Sequence, residues 1–466
     1  MGRPIPARPT TATRDRQRVT ETAPPTIEQA LTRLRDGTLT SVRLTRDCLD
    51  TIERLNGQLN AFIAVTADEA LERAREADLA RSRGQWLGPL HGIPVSLKDL
   101  IDQRGVGTTA GSRVLDATPA AKDAPVTAAL RQAGAVLIGK CNLHEFAFGT
   151  TSDESAFGPV RHPQDPGRAA GGSSGGSAVA VATGMSLASI GTDTGGSIRI
   201  PAAACGIVGL KPCSGEVSCE GVVPLSRSLD HVGPLCRTVA DAALVHGALT
   251  RTEPVRPTAG ADLRSARLGV PYDFLRDRVQ PPVRDCFDRS CEALAAAGAT
   301  LAPIRVEELE LAAAAYLALV LPEAAEWHAA HLNRHPDRYS PGVRIRLEAG
   351  RYVLAEDYLR AQALRSRLTD AIDASFATCD AIALPALAIT PEPVFAATVR
   401  MPRGDEPVRA AMLRLTQPFN MSGHPAISIP CGRTSDGWPC GFQLVGRRGD
   451  TRGLLTQALA CEPHLT

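Results

Sequence analysis

Lysine is nearly missing from this sequence: of 51 basic residues only four are lysines, Lys98, Lys122, Lys140 and Lys211. Arginine supplies plain positive charge elsewhere and never gives up its proton in a protein, whereas a desolvated lysine can lose its proton and act as a base. A lysine retained in such a chain is a candidate for a task closed to arginine; for Lys122, chance retention is the plainer reading. Other shortages narrow the field further. The 12 cysteines include no Cys-x-x-Cys pair and sit among apolar neighbours, as at Cys205, Cys236 and Cys431. That pattern suits free thiols in a reducing cytoplasm better than a disulfide framework or a zinc site. The formal net charge is only +1, so no electrostatic excess calls for nucleic acid or an anionic membrane. No apolar run is long enough to span a bilayer. Residues 1–25 are rich in Arg, Thr and Pro without an apolar stretch, which reads as a disordered tail and not a secretory signal.

What is present is enough apolar material, 44% over 466 residues, for a large core. Thr26 and Gln29, after Pro24-Pro25, spell a capping box that opens a first helix. A second helix follows Ser41, with Leu44, Cys48, Ile52 and Leu55 on one face, and a third runs over 66–83. From Gly88 to Pro234 the chain is dominated by Gly, Ser, Thr and Ala, with short apolar strands at 135–138 and 187–190 and a helix at 127–133 before the first. Helical stretches return at 282–297, 307–333 and 342–376, then strands at 381–384, 426–430 and 441–445. Helix–strand alternation of this kind predicts an α/β fold with one sheet.

Two glycine-embedded serine clusters stand inside the small-residue region. Ser197 lies in Gly191-Thr192-Asp193-Thr194-Gly195-Gly196-Ser197-Ile198-Arg199-Ile200-Pro201, and Ser173 in Gly171-Gly172-Ser173-Ser174-Gly175-Gly176. Lys98 precedes both in Pro94-Val95-Ser96-Leu97-Lys98-Asp99. A serine needs a base to become a nucleophile, and successive N–H groups in a glycine turn form a cradle for a developing oxyanion. Each cluster alone also reads as an ordinary tight turn. The upstream cluster matches Gly-x-Ser-x-Gly, but no strand precedes it, and as a phosphate loop it lacks the Lys-Ser/Thr ending. The stretch Gly134–Lys140 imitates a P-loop, yet its interior Val-Leu-Ile is a buried strand and Cys141 stands where Ser or Thr binds magnesium.

In this order and spacing the three motifs resemble the amidase signature family. The resemblance continues through Cys205-Gly206-Ile207-Val208-Gly209-Leu210-Lys211-Pro212, Ser228-Leu229-Asp230-His231-Val232-Gly233-Pro234, Asn420-Met421-Ser422-Gly423-His424-Pro425-Ala426 and Gly441-Phe442-Gln443-Leu444-Val445-Gly446. It implies one domain over 26–466, with a signature core at 88–234 and a helical, substrate-covering insertion at 305–380. The implied fold is a mixed, mostly parallel central sheet covered by helices on both faces. Residue by residue, it makes Ser197 the nucleophile, Ser173 the bridging serine after a cis Gly172–Ser173 peptide, and Lys98 the base. The backbone amides of Thr194, Gly195, Gly196 and Ser197 become the oxyanion hole, with no metal and no cofactor. His144, His231 and His424 then take structural places, Asp193 and Arg199 hold the nucleophile loop in shape, and Lys211 is structural too.

The implied activity is cleavage of C–N amide bonds, with esters and carbamates within reach of the same acyl-enzyme chemistry, by a cytoplasmic monomer or homodimer acting on a small molecule. The alternative is the glutaminase subunit of a tRNA-dependent amidotransferase, which brings RNA and a protein partner. That subunit generally carries a tyrosine-rich run where this chain reads Leu347-Glu348-Ala349-Gly350-Arg351-Tyr352-Val353-Leu354-Ala355-Glu356-Asp357-Tyr358, so a stand-alone hydrolase is the expectation. Phe146, Phe148, Tyr316 and Trp327 are the candidate pocket residues, and they favour a hydrophobic or aryl acyl group over a small dicarboxylate.

Overall fold

The computed structural model describes residues 24–256 and 263–465; the expected disordered tail, 1–25, lies outside these apart from Pro24 and Pro25. The strands are β1 (Phe62–Val65), β2 (Pro94–Lys98), β3 (Val136–Cys141), β4 (Ala188–Asp193), β5 (Val208–Lys211), β6 (His231–Cys236), β7 (Arg267–Val270), β8 (Thr300–Pro303), β9 (Ala381–Pro385), β10 (Thr398–Met401), β11 (Gly404–Pro407), β12 (Ala426–Arg433) and β13 (Pro439–Val445). Eleven of them form one mixed sheet in the order β1-β3-β2-β4-β6-β5-β12-β13-β9-β7-β8, and β10 and β11 pair as a separate hairpin. Helices flank the sheet. Parallel pairing joins β2 to β3 and β4, and β7 to β8 and β9, while the middle of the sheet is antiparallel. Parallel order therefore describes two groups of three strands and not the whole sheet.

Local chemistry accounts for the main elements. The helix Ile27–Asp36 opens on the expected capping box, Thr26 with Gln29, and ends on Gly37 in the left-handed conformation. β2, β3 and β4 are buried along their whole lengths, as strands covered on both faces must be. β6 departs from the sequence expectation, because His-Val-Gly-Pro reads as a turn. It is instead a buried strand squeezed between β4 and β5, and Gly233 permits this: a Cβ there would lie 2.2 Å from the Leu210 carbonyl oxygen.

Two features of this sheet position the site. β2 and β4 run parallel with Leu97 opposite Ile190, so Lys98 and the Thr192–Asp193 end of β4 emerge at the same carboxyl edge. Ligand sites of α/β sheets form at that edge. The antiparallel pairing of Asp193 with His231 then places Asp230 beside Thr194. Residues 305–380, the expected insertion, form the helices Ala312–Arg334, Pro341–Gly350 and Ala355–Ser375, the first packed against each of the other two. Among the described residues no helix is long and apolar enough to cross a membrane, and no cluster of three or more His, Cys, Asp or Glu is arranged to hold a metal ion. All twelve cysteines are free thiols.

Candidate active site

Lys98 ends β2 with a side chain closed off from solvent. Its Nζ lies 2.8 Å from Ser173 Oγ and 2.7 Å from Thr192 Oγ1. Among the described residues no carboxylate touches it. Burial pulls its pKa down to about 7, against the more distant charges of Asp230 and then Asp193, which hold it up. A fraction of the lysine is thus neutral near pH 7, the state a base requires.

The Gly172–Ser173 peptide is cis, as expected. The Ser173 carbonyl accepts hydrogen bonds from the His144 amide at 3.1 Å and from Ser152 Oγ at 3.1 Å, and the helix Gly175–Ala182 follows directly. The Ser174 amide donates to the Ser197 carbonyl at 3.2 Å, which ties the two serine loops together. Among the described residues no hydrogen bond closes Ser173 Oγ on Ser197 Oγ. Catalytic contacts of this kind often tighten only when substrate is bound.

Ser197 sits in the turn between β4 and the helix Arg199–Cys205, 5% exposed. Gly196 takes a φ of +139°, open to glycine and strained for other residues, and a methyl group there would lie 2.2 Å from Thr416 Oγ1. The amides of Gly195, Gly196 and Ser197 donate to no acceptor among the described residues, the condition an oxyanion cradle must meet. Thr416 Oγ1 donates to the Gly195 carbonyl at 2.6 Å, and Thr194 Oγ1 donates to Asp230 Oδ1 at 2.5 Å. Burial raises the Asp230 carboxyl to about 6, although Thr194 and the Leu225 and Ser226 amides favour its charged form.

Behind the turn lies a buried polar network. Arg199 donates to both oxygens of Asp193, at 2.9 and 3.0 Å, and also to Gln443 Oε1, Asn420 Oδ1 and the Thr416 carbonyl. Asp193 Oδ2 in turn accepts the Ile198 amide at 3.1 Å. Burial alone would raise the Asp193 pKa, but Arg199, with Lys211 and Asn420, outweighs it and holds the carboxyl below the ordinary range. The expectation that Asp193 and Arg199 shape the loop agrees with these contacts.

The remaining lysines and the histidines have other partners. Lys140 pairs with Asp99 at 2.9 Å, and Lys211 donates to the His424 and Pro212 carbonyls. Lys122 is exposed and meets Glu220 at the surface. Burial lowers His231 to about 3, and its Nδ1 lies 2.7 Å from the Leu229 carbonyl. His424 Nε2 pairs with Asp373 at 3.0 Å, and His144 Nε2 with Glu154 at 3.2 Å. Among the described residues none of the three imidazole rings bonds to Ser173 or Ser197.

The four aromatic candidates separate. Tyr316 reaches the nucleophile turn, since a methyl group at Gly195 would lie 2.5 Å from its Oη. Phe148 is buried beneath the guanidinium groups of Arg346 and Arg409. Phe146 packs against His328, Tyr339 and Trp327. Trp327 lines a cleft of about 510 Å³ shared with Asp102, Thr108 and Arg338, to which Lys98, Ser173 and Ser197 do not contribute. The sequence reading passed over Thr192, Asp230, Thr416 and Arg409. The first two stand inside the quoted motifs, where a hydroxyl and a carboxylate were legible but their partners were not.

The amidase family model matches residues 43–455. A glutamyl-tRNA(Gln) amidotransferase subunit of Chloroflexus aggregans is 37% identical, with 92% of this chain and 94% of that protein covered. A solved structure described as an amidase is 38% identical with a TM-score of 0.90, covering 95% of this chain and 100% of that one. The corresponding glutamyl-tRNA(Gln) amidotransferase subunit of Thermotoga maritima is 30% identical with a TM-score of 0.75, covering 93% of each chain. These matches run through the β2, Ser173 and Ser197 loops and on to the C-terminal strands, and the chain belongs to the amidase family, the amidase-signature enzymes of C–N bonds.

Proposed function

We propose that this protein hydrolyses an amide through an acyl-enzyme on Ser197, with Lys98 as the base and Ser173 as the relay between them. The observation that carries the reading is Lys98: fully buried, without a carboxylate partner among the described residues, its Nζ 2.8 Å from Ser173 Oγ. Neutral Lys98 takes the Ser173 proton as Ser173 takes that of Ser197. Ser197 Oγ then bonds to the substrate carbonyl carbon, and the amides of Thr194 to Ser197 receive the negative oxygen. The C–N bond breaks as Ser173 returns a proton to the departing nitrogen. Water attacks the resulting ester by the same relay, releasing the acid and restoring Ser197. A fluorophosphonate probe should label Ser197 in the intact chain, and Lys98→Arg should abolish both labelling and turnover. Near-normal turnover in Lys98→Arg or Ser173→Ala would sink the relay.

Two substrate classes fit this chemistry. The shared name of the curated relatives supports a glutaminase subunit working with protein partners and tRNA, at 37%, 33% and 36% identity. The better superposition on the solved amidase, 0.90 against 0.75, supports a stand-alone enzyme for amides, with esters and carbamates to be tested beside them. The 347–358 segment without its tyrosine run also supports the stand-alone reading. Ammonia release from L-glutamine, rising with a co-expressed partner subunit, decides for the amidotransferase role. Turnover of aryl or alkyl amides by the chain alone, with glutamine inert, decides against it.

A further inference from the structure

Arg409 lies near Tyr316, which meets the nucleophile turn, and has no charged partner among the described residues. Its guanidinium makes no hydrogen bond or ion pair among the described residues, and Nε is shielded from solvent. Its neighbour Arg346 is already committed to Glu154 at 3.0 Å. Both guanidinium groups lie over the Phe148 ring, 5.8 Å and 5.4 Å from its centroid. A ring face softens the burial of a cation but does not replace a counterion.

The surroundings point toward a ligand. Arg409 lines a cavity of about 430 Å³, a volume suited to a small molecule. Four arginines and three carboxylates line it. Arg278 pairs with Glu310, Arg403 with Asp277 and Arg414 with Glu406, which leaves Arg409 as the uncompensated charge. Leu413, which lines this cavity four residues on from Arg409, would lie 3.0 Å from a methyl group at Gly195, and Tyr316, outside the lining, brings its Oη within 2.5 Å of the same position. The Tyr316 hydroxyl makes no hydrogen bond among the described residues. Burial keeps it protonated and able to donate, and Arg409 is near enough to pull the other way.

We propose that Arg409, with the Tyr316 hydroxyl, recognises a carboxylate carried by the substrate of the Ser197 site. This rests on the amide-hydrolase reading and narrows its substrate class to amides that bear an anionic group away from the scissile bond. It revises the expectation of a purely apolar or aryl acyl group: Phe148 lies beneath the guanidinium, Tyr316 reaches the nucleophile turn, and the guanidinium supplies the polar contact that fixes orientation.

The test is equilibrium titration of the full chain at pH 8 with glutarate and with the neutral isostere glutaramide, by calorimetry. The wild-type protein should bind glutarate about 10- to 100-fold more tightly than the diamide, the worth of a charge-assisted hydrogen bond. Arg409→Met should erase that ratio, and Arg409→Lys should keep part of it. Arg403→Met, which removes a cation of the same cavity already paired with Asp277, should leave the ratio as in the wild type. Equal affinity for the two ligands, no binding of either, or an unchanged ratio in Arg409→Met overturns the proposal. Labelling of Ser197 by the fluorophosphonate probe is read separately. If labelling fails while the glutarate preference persists, the hydrolase reading falls; if labelling succeeds and the preference is missing, only the carboxylate assignment falls.

Discussion

Arg199 and Asp193 share two hydrogen bonds, at 2.9 and 3.0 Å, across the turn that carries Ser197, and neither side chain reaches solvent. The pair also reaches Asn420 and Gln443, more than 200 residues away in sequence, so the nucleophile turn is fixed by the C-terminal part of the chain. Removing one member of a buried pair leaves an uncompensated charge, at a cost of about 3–5 kcal/mol. Arg199→Met should therefore lower denaturant stability by about that amount, measured by urea unfolding. A variant with unchanged midpoint would show that the pair does not hold the turn.

The base gives a pH signature. Lys98 has a folded pKa of about 7, below its value in the unfolded chain. kcat/KM should rise with pH through a midpoint near 7 and level off above it, as the lysine loses its proton. Lys98→Met should lower kcat by about 100- to 10,000-fold, the usual worth of a general base. Stability runs the other way. Burying the charged lysine destabilises the fold fully below pH 7, and the penalty fades as pH climbs toward the unfolded value of about 10.4. Lys98→Met should thus melt no lower than the wild type, with its gain larger at pH 6 than at pH 9. A pH-independent rate, or a variant that melts lower at pH 6, would contradict the assignment.

How much of this was legible in the sequence depends on whether the signal was local. The capping box at Thr26, the strands that became β3, β4, β9, β12 and β13, and the glycine turn at Ser197 all follow from short-range chemistry and were readable. Lys98 stood out because lysine is so rare here. β6 did not, since Gly233 and Pro234 carry turn signals that only the crowding by Leu210 explains. Arg409 was invisible for a related reason. The chain has many arginines, and what distinguishes this one is the charged partner it lacks among the described residues, a property of packing between distant segments. Trp327, selected as an aromatic, faces another cleft because periodicity does not tell which side of a long helix meets the reacting serine.

Asp230 should tune the base without touching it. It accepts the Thr194 hydroxyl at 2.5 Å, and of the charges acting on Lys98 its own is the strongest, holding the lysine pKa up. Asp230→Asn keeps the size and one acceptor oxygen, for the Leu225 and Ser226 amides, and removes the charge. Lys98 should then lose its proton at lower pH, and the midpoint of the rising kcat/KM limb should move toward acid. Stopped assays between pH 5 and 9 read this directly. A shift toward alkaline pH would show that Asp230 acts on another group.

The glycine at 196 offers a test of the oxyanion turn. Its φ of +139° disfavours any side chain, and a methyl group there would lie 2.2 Å from Thr416 Oγ1, the atom that holds the Gly195 carbonyl. Gly196→Ala should displace the turn and lower kcat by about 100- to 1,000-fold, as does loss of one oxyanion donor. Thr416→Ala alone removes only the hydroxyl that braces Gly195 and should cost less. The two causes separate in the double variant. Gly196→Ala with Thr416→Ala relieves the collision but leaves the backbone angle, which still disfavours alanine by about 1–3 kcal/mol. Its kcat should stay well below that of Thr416→Ala. Recovery to the level of Thr416→Ala would mean that crowding alone, and not the glycine conformation, sets the geometry of the Ser197 turn.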